Sequence, residues 1–241
     1  MSTDKTDSKN IYESDEYLEN NPDWHTEDSA WKAEKIRQIL EKNSIEVDSV
    51  CEVGCGAGQI LHELQQTGLC PDATWTGYDI APRAIELAQT IDNPKLNFEC
   101  RDLLAPDNED FFDLLLMIDV FEHVRDYFGF LEKCREKATL KVYHIPLEIH
   151  VSAVLRNQVT RERYSVGHIH YFNSSSAIAS LKDTGHEIVD WTYTAGCTEL
   201  YRIHPTFKRA LANVPRWLFS RFSTGFAARM FGGYSLLVLA K

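Results

Sequence analysis

The sequence predicts an α/β fold: a doubly wound, mostly parallel sheet with helices on both faces. Three observations carry this. Strand-like segments alternate with segments of helical periodicity from about residue 29 to 145. The run Leu114-Leu115-Leu116-Met117-Ile118 is apolar on both faces, which suits a central parallel strand covered by helices above and below. Gly54, Gly56 and Gly58 stand directly between a strand and a helix, where the backbone turns tightly and approaches a ligand closely.

Residues 1–20 are polar and acidic and read as a disordered arm, leaving 21–241 as a single expected domain. A helix begins at Asp28 or Ser29, with Trp31, Ala33, Ile36, Ile39 and Leu40 at a spacing near 3.6. It precedes a strand over 49–53 and a helix carrying Ile60, Leu61 and Leu64, closed by Gly68. The unit repeats as a strand over 74–78 and a helix opened by Pro82. Strands over 96–100 and 111–118 follow, then a helix over 122–137 and a strand over 140–145 stopped by Pro146. The tail breaks the alternation with a helix over 175–183 and a strand over 187–194. A stretch of about 38 residues, rich in aromatic and basic side chains, then leads to a strand over 234–240. Two strands without a regular crossover helix suit an antiparallel pair at the end of the sheet. Segments 147–174 and 195–233 read as insertions on the acceptor side.

The formal charge of −11 disfavours a nucleic-acid partner, whose phosphates call for clustered Lys and Arg. That charge is unevenly spread. Residues 1–34 hold ten acids and three bases, whereas after Glu199 there are seven bases and no acid. Met1 to Lys5 lacks the basic-then-apolar pattern of a secretory signal, and no apolar run nears the roughly 18 residues of a membrane span, so a cytoplasmic protein is expected. The six cysteines form no C-x-x-C pair and read as reduced, structural thiols.

The spacing Glu52-x-Gly54-x-Gly56-x-Gly58 is not the dinucleotide pattern Gly-x-Gly-x-x-Gly, because residue 59 is Gln. Asp79, 21 residues after Gly58, ends the second strand, where a carboxylate can take both hydroxyls of a ribose. Asp102 follows the third strand and Asp119 ends the fourth. Glu52, Asp79, Asp102 and Asp119 thus form a row along one sheet edge. Such a row repels a pyrophosphate and suits a ligand with a ribose, an adenine amine, an ammonium and a sulfonium.

The segments Val50 to Gly58, Gly77-Tyr78-Asp79-Ile80, Cys100 to Leu104 and Asp119-Val120-Phe121-Glu122-His123-Val124 resemble the successive motifs of class I S-adenosylmethionine (SAM)-dependent methyltransferases. The resemblance covers roughly residues 30–145 and implies a seven-stranded sheet of order 3-2-1-4-5-7-6 with the last strand antiparallel. It implies SAM as cofactor, with Gly54, Gly56 and Gly58 along its methionine moiety and Asp79 and Ile80 at its ribose. Asp102 with Leu103 would frame the adenine, and Asp119 would lie near the methionine end. Asp102 and Asp119 also read simply as caps of the turns that follow them. Two rival readings are a non-catalytic SAM- or partner-binding module and an NAD-dependent oxidoreductase.

Methyl transfer to a hydroxyl or protonated amine requires removal of a proton, so a base near the fourth and fifth strand ends is sought. His123, His144, Glu148, His150, His168 and His170 are the candidates, with His144 and His123 preferred by position. Trp24, Glu148, His168, His170 and Tyr171 are candidates for the acceptor side. On a strand, His168 and His170 would share a face and permit metal ligation, but no third ligand at clear spacing accompanies them, so no metal is expected. The acceptor reads as small or medium in size, presenting an oxygen or nitrogen, with a glycan, a lipid-linked intermediate and a secondary metabolite all open. The basic and aromatic stretch 205–232 reads as an acceptor-binding cap, as ordinary packing or as a contact with an anionic membrane surface.

Overall fold

A computed structural model describes residues 26–202 and 205–241 of the chain, so the acidic arm expected over 1–20 lies outside the described residues. Seven strands form one sheet: β1 (Ser49–Val53), β2 (Thr74–Asp79), β3 (Leu96–Cys100), β4 (Phe112–Ile118), β5 (Ala138–Pro146), β6 (Ile188–Thr194) and β7 (Ser235–Ala240). Their order is β3-β2-β1-β4-β5-β7-β6, as the motif resemblance implies. Neighbours from β3 to β5 run parallel, and β7 lies antiparallel between β5 and β6.

The alternation of side chains along β4 shows why this strand is apolar throughout. Leu114, Leu116 and Ile118 join a core with Ile36 and Leu40 of α1 (Ser29–Lys42), Leu61 and Leu64 of α2 (Gln59–Gln66) and Ile85 of α3 (Pro82–Ala88). On the opposite face, Leu115 and Met117 join Leu131 and Cys134 of α4 (Tyr127–Arg135). Each residue of this run therefore has a helix to pack against.

The helix expected over 122–137 is two elements. Phe121–His123 forms a single 3-10 turn, Val124 is extended, and α4 starts afresh where the Asp126 carboxylate accepts from the Gly129 N–H at 3.1 Å. Asp28 precedes α1, yet its carboxylate pairs with Lys32 at 3.0 Å and makes no side-chain cap. The 147–174 segment carries α5 (Val151–Leu155) and α6 (Gln158–Ser165), and α7 (Ser174–Asp183) follows with Asn173 and Ser176 closing a reciprocal cap. The tail adds α8 (Gly196–Glu199), α9 (Phe207–Ser220) and α10 (Thr224–Phe231) before β7. Among the described residues, no helix is long and apolar enough to cross a membrane.

Leu116 is fully buried at the centre of the sheet. Leu116→Ala is expected to lower unfolding stability by about 2–5 kcal/mol, read as a fall in the urea midpoint without a change in slope.

Candidate active site

The carboxyl ends of the parallel strands converge on a cavity of about 430 Å³ lined by Glu52, Gly54, Gly56, Asp79, Ile80, Asp119 and Val120, among others. The loop after β1 shapes its floor. Gly54 and Gly58 have φ of +72° and +75°, and a Cβ on either would press on a neighbour: Val120 at 2.8 Å from Gly54 and the Phe98 ring at 2.5 Å from Gly58. Here the glycines serve close packing of loop on loop as much as approach to a ligand.

Asp79 anchors that loop. Its Oδ2 accepts from the Gly56 N–H at 2.9 Å and its Oδ1 from the Ala81 N–H at 2.8 Å. Both oxygens keep a second lone pair. Glu52 is 1 % exposed, and its Oε2 has no hydrogen-bond partner among the described residues. Burial pushes its carboxyl up from the ordinary 4.5 to about 8, against the opposing pull of Lys32. An unsatisfied buried carboxyl in a cavity wall fits an ammonium group of a bound ligand. Asp79, Glu52 and the glycine loop therefore fit the ribose and amino-acid ends of SAM.

Asp119 ends β4 with a φ of +57°, rare for a residue with a side chain. Its Oδ2 pairs with Lys32 at 3.0 Å and its Oδ1 meets His144 Nδ1 at 2.6 Å. Although burial alone would raise it, the facing His144 and Lys32 hold this carboxyl far below the usual carboxylate range. Lys32 is held correspondingly high by Asp119 and Asp28, which together outweigh its burial.

The remaining expected residues divide. His144 was expected at the acceptor, but it is 3 % exposed, is not among the cavity-lining residues, and has both ring nitrogens engaged, Nε2 facing Thr194 Oγ1 at 2.9 Å. From the end of β5 the His144 side chain reaches across β7 to Thr194 at the end of β6, with Asp119 on its other ring nitrogen. His123 does line the cavity, with Nδ1 donating to the Gly167 carbonyl at 3.2 Å. His168 lines it too, with Nδ1 on Glu148 Oε1 at 2.8 Å. Glu148 itself lies outside the lining. His168 and His170 do not act as a pair: the His170 ring meets the Arg125 carbonyl at 3.2 Å and packs on Tyr127. Tyr171 donates its hydroxyl to the His168 carbonyl at 2.8 Å. Asp102 is exposed, accepts from the Leu104 N–H at 2.8 Å and stays outside the lining, while Leu103 is fully buried in the core. The turn cap read as the simpler alternative for Asp102 is thus formed. Trp24 lies outside the described residues.

Three participants escaped sequence reading: Lys32, Glu122 and Thr194. Lys32 carried a readable signal, since it shares the α1 stripe of Ile36 and Leu40, where a cation needs an acid. Glu122 is 1 % exposed with neither oxygen hydrogen-bonded among the described residues, and burial with the charge of Asp119 drives its carboxyl well up. Thr194 gave no signal, because its role depends on β6 closing the sheet edge.

The raised Glu52 carboxyl makes stability depend on pH. Between about 4.5 and 8 the unfolded chain has released this proton and the folded chain holds it, so stability falls as pH rises through that window. Glu52→Gln removes the effect. The variant is expected to melt above the parent by at least ~3 °C at pH 8, with the gap closing by pH 5 in paired thermal scans.

Residues 24–190 match a family model described as a methyltransferase domain. A ubiquinone biosynthesis O-methyltransferase of Chelativorans sp. (strain BNC1) is 33% identical over 91 residues, 36% of this chain and 34% of that protein. The chain thus matches about a third of the length of this relative. The structure of the N-methyltransferase NodS from Bradyrhizobium japonicum WM9, in complex with S-adenosyl-L-homocysteine, aligns with a TM-score of 0.59 at 18% identity, covering 96% of this chain and 98% of that one. Magnesium protoporphyrin IX methyltransferase from Synechocystis PCC 6803, with bound S-adenosylhomocysteine, aligns at 0.57 and 16% identity over 88% and 82%. With more than half of its length matched by the family model, on a sheet of the expected order, the chain belongs to the methyltransferase-domain family.

Proposed function

We propose that this protein is a SAM-dependent methyltransferase that methylates an oxygen or nitrogen of a small or medium acceptor. The observation that carries this reading is the cavity at the strand ends, where Asp79 offers lone pairs beside the glycine loop and Glu52 offers a buried carboxyl oxygen without a partner among the described residues. When bound, SAM supplies an electrophilic methyl group on a sulfonium. Asp79, fixed by two backbone N–H groups, receives the ribose hydroxyls. Ile80, 53 % exposed at the cavity lip, covers the adenine edge, a role that the buried Leu103 cannot take. Glu52 accepts from the ammonium. Asp119, with one oxygen on Lys32 and the other on His144, keeps its charge and orders the wall between cofactor and acceptor. His144 is a positioning residue that acts through Asp119, and His123 and His168 wall the acceptor space. The O-methyltransferase relative supports an oxygen acceptor and the NodS likeness a nitrogen one.

Calorimetry with S-adenosylhomocysteine and with NAD tests the reading. S-adenosylhomocysteine is expected to bind, and Asp79→Ala to weaken it about 10- to 100-fold through loss of hydrogen bonds to a charged group. Binding of NAD alone would sink the proposal. A protein that binds the product yet methylates nothing across a broad acceptor screen would be the non-catalytic module.

We also propose that 205–232 contacts an anionic membrane surface. In α9, Phe207, Leu211, Val214 and Leu218 recur at helical spacing with 83, 64, 58 and 48 % exposure, and Phe222 beyond its end is 85 % exposed. Lys208 and Arg221 flank this face, and no acid occurs after Glu199 in an otherwise acidic protein. An apolar helix face bordered only by cations matches anionic headgroups over acyl chains. The protein is expected to sediment with phosphatidylglycerol vesicles at low salt, less so at 0.5 M NaCl, and not with Leu211→Glu. Equal recovery with neutral vesicles would dismiss this contact.

A further inference from the structure

One donor atom each of Glu122, His123 and His168 lies within 4.8 Å of the other two, beside the acceptor half of the cavity. Three features of this cluster exceed what packing explains. Glu122 is buried with neither carboxylate oxygen hydrogen-bonded among the described residues, although an unpaired buried carboxylate is costly. His168 holds a hydrogen bond through Nδ1 to Glu148, so its Nε2 carries the lone pair available to a cation, and His123 donates from Nδ1 to the Gly167 carbonyl. Such a partner on the far ring nitrogen is the arrangement that orients metal-ligating imidazoles. The frame is also fixed: the Glu122 carbonyl accepts from the N–H groups of Ile169 and His170, both at 3.0 Å, pinning the His168 segment to the Phe121–His123 turn.

We propose that Glu122, His123 and His168 form a site for a divalent cation that favours imidazole, such as Zn²⁺, open toward an oxygen of the acceptor. Two imidazoles and one carboxylate are a donor set for borderline cations, and catalytic sites of this type keep a coordination position for substrate or water. Ligand atoms around a tetrahedral zinc stand roughly 3.3 Å apart, so the three groups close by at most about 1.5 Å through side-chain rotation. The cation site stands on its own residues. Its link to the acceptor rests on the methyltransferase reading and narrows it to an oxygen, since a hydroxyl held by a cation gives up its proton more readily.

The test uses the full chain stripped with chelator and titrated with Co²⁺, followed by Zn²⁺ competition. One equivalent of Co²⁺ is expected to give the intense visible absorption of a low-coordinate site, lost on addition of Zn²⁺. Glu122→Gln and His168→Gln are each expected to weaken Zn²⁺ by more than about 100-fold, and Glu148→Ala by about 10- to 100-fold as the loss of an outer partner. His170→Gln, whose ring faces the Arg125 carbonyl, is expected to leave affinity unchanged. Thermal scans confirm that each variant is folded. A spectrum no different from aqueous Co²⁺, or Zn²⁺ affinities equal in the parent and in folded Glu122→Gln and His168→Gln, overturns the proposal. Calorimetry with S-adenosylhomocysteine on the same samples reads the methyltransferase proposal separately, because failure there leaves the cation result standing.

Discussion

The carboxyl edge of the sheet is organised around one carboxylate. Asp119 sits in left-handed backbone geometry at the end of β4 and is gripped by Lys32 from α1 and His144 from β5, while His144 reaches on to Thr194 of β6. Four parts of the chain therefore meet through four side chains, Lys32, Asp119, His144 and Thr194. Removing Lys32 would leave the Asp119 carboxylate without its ion-pair cation in a partly buried wall, which is the costly way to break such a pair. The unfavourable φ of Asp119 persists because the pairing over-determines it.

The sheet was legible in the sequence because its signals are local and repeated. The apolar run of β4, the glycines after β1 and the acids at strand ends each follow from the backbone around them, and the observed strand order agrees with the one the motifs implied. Asp79 was readable for the same reason: a carboxylate at a strand end beside glycines has few other uses. Less visible was what tertiary closure decides. His144 looked like an acceptor-side base from its place at the end of β5, yet the arrival of β6 supplies Thr194 and turns the ring away. Glu122 and His123 read as the start of one long helix, whereas the restart at Asp126 leaves them on a separate turn facing His168. The role of 205–232 stayed open between cap, packing and membrane contact, because Pro215, ordinarily a helix breaker, lies inside the helix that α9 adopts.

The two halves of the cavity differ in chemical character. The cofactor half is built from backbone groups after β1 and from the carboxylates of Glu52 in β1 and Asp79 at the end of β2, with Gly54 seated where a Cβ would meet Val120. The acceptor half is built from imidazoles and from α6, which contributes Glu162 and Val166 to the lining. A rigid, acidic half suits a ligand of fixed shape. The other half draws on surface helices with exposed side chains such as Val154, Leu155 and Tyr164.

The pair of N–H groups that Ile169 and His170 donate to the Glu122 carbonyl separates two properties that would otherwise be linked. The segment between β5 and Ile169 is tied at both ends, by the sheet at Pro146 and by this clamp, so α5 and α6 form a loop whose length can drift without displacing His168. Descendants of this chain could thus exchange the outer wall of the acceptor space piecemeal, acquiring new substrates while inheriting the same reactive centre.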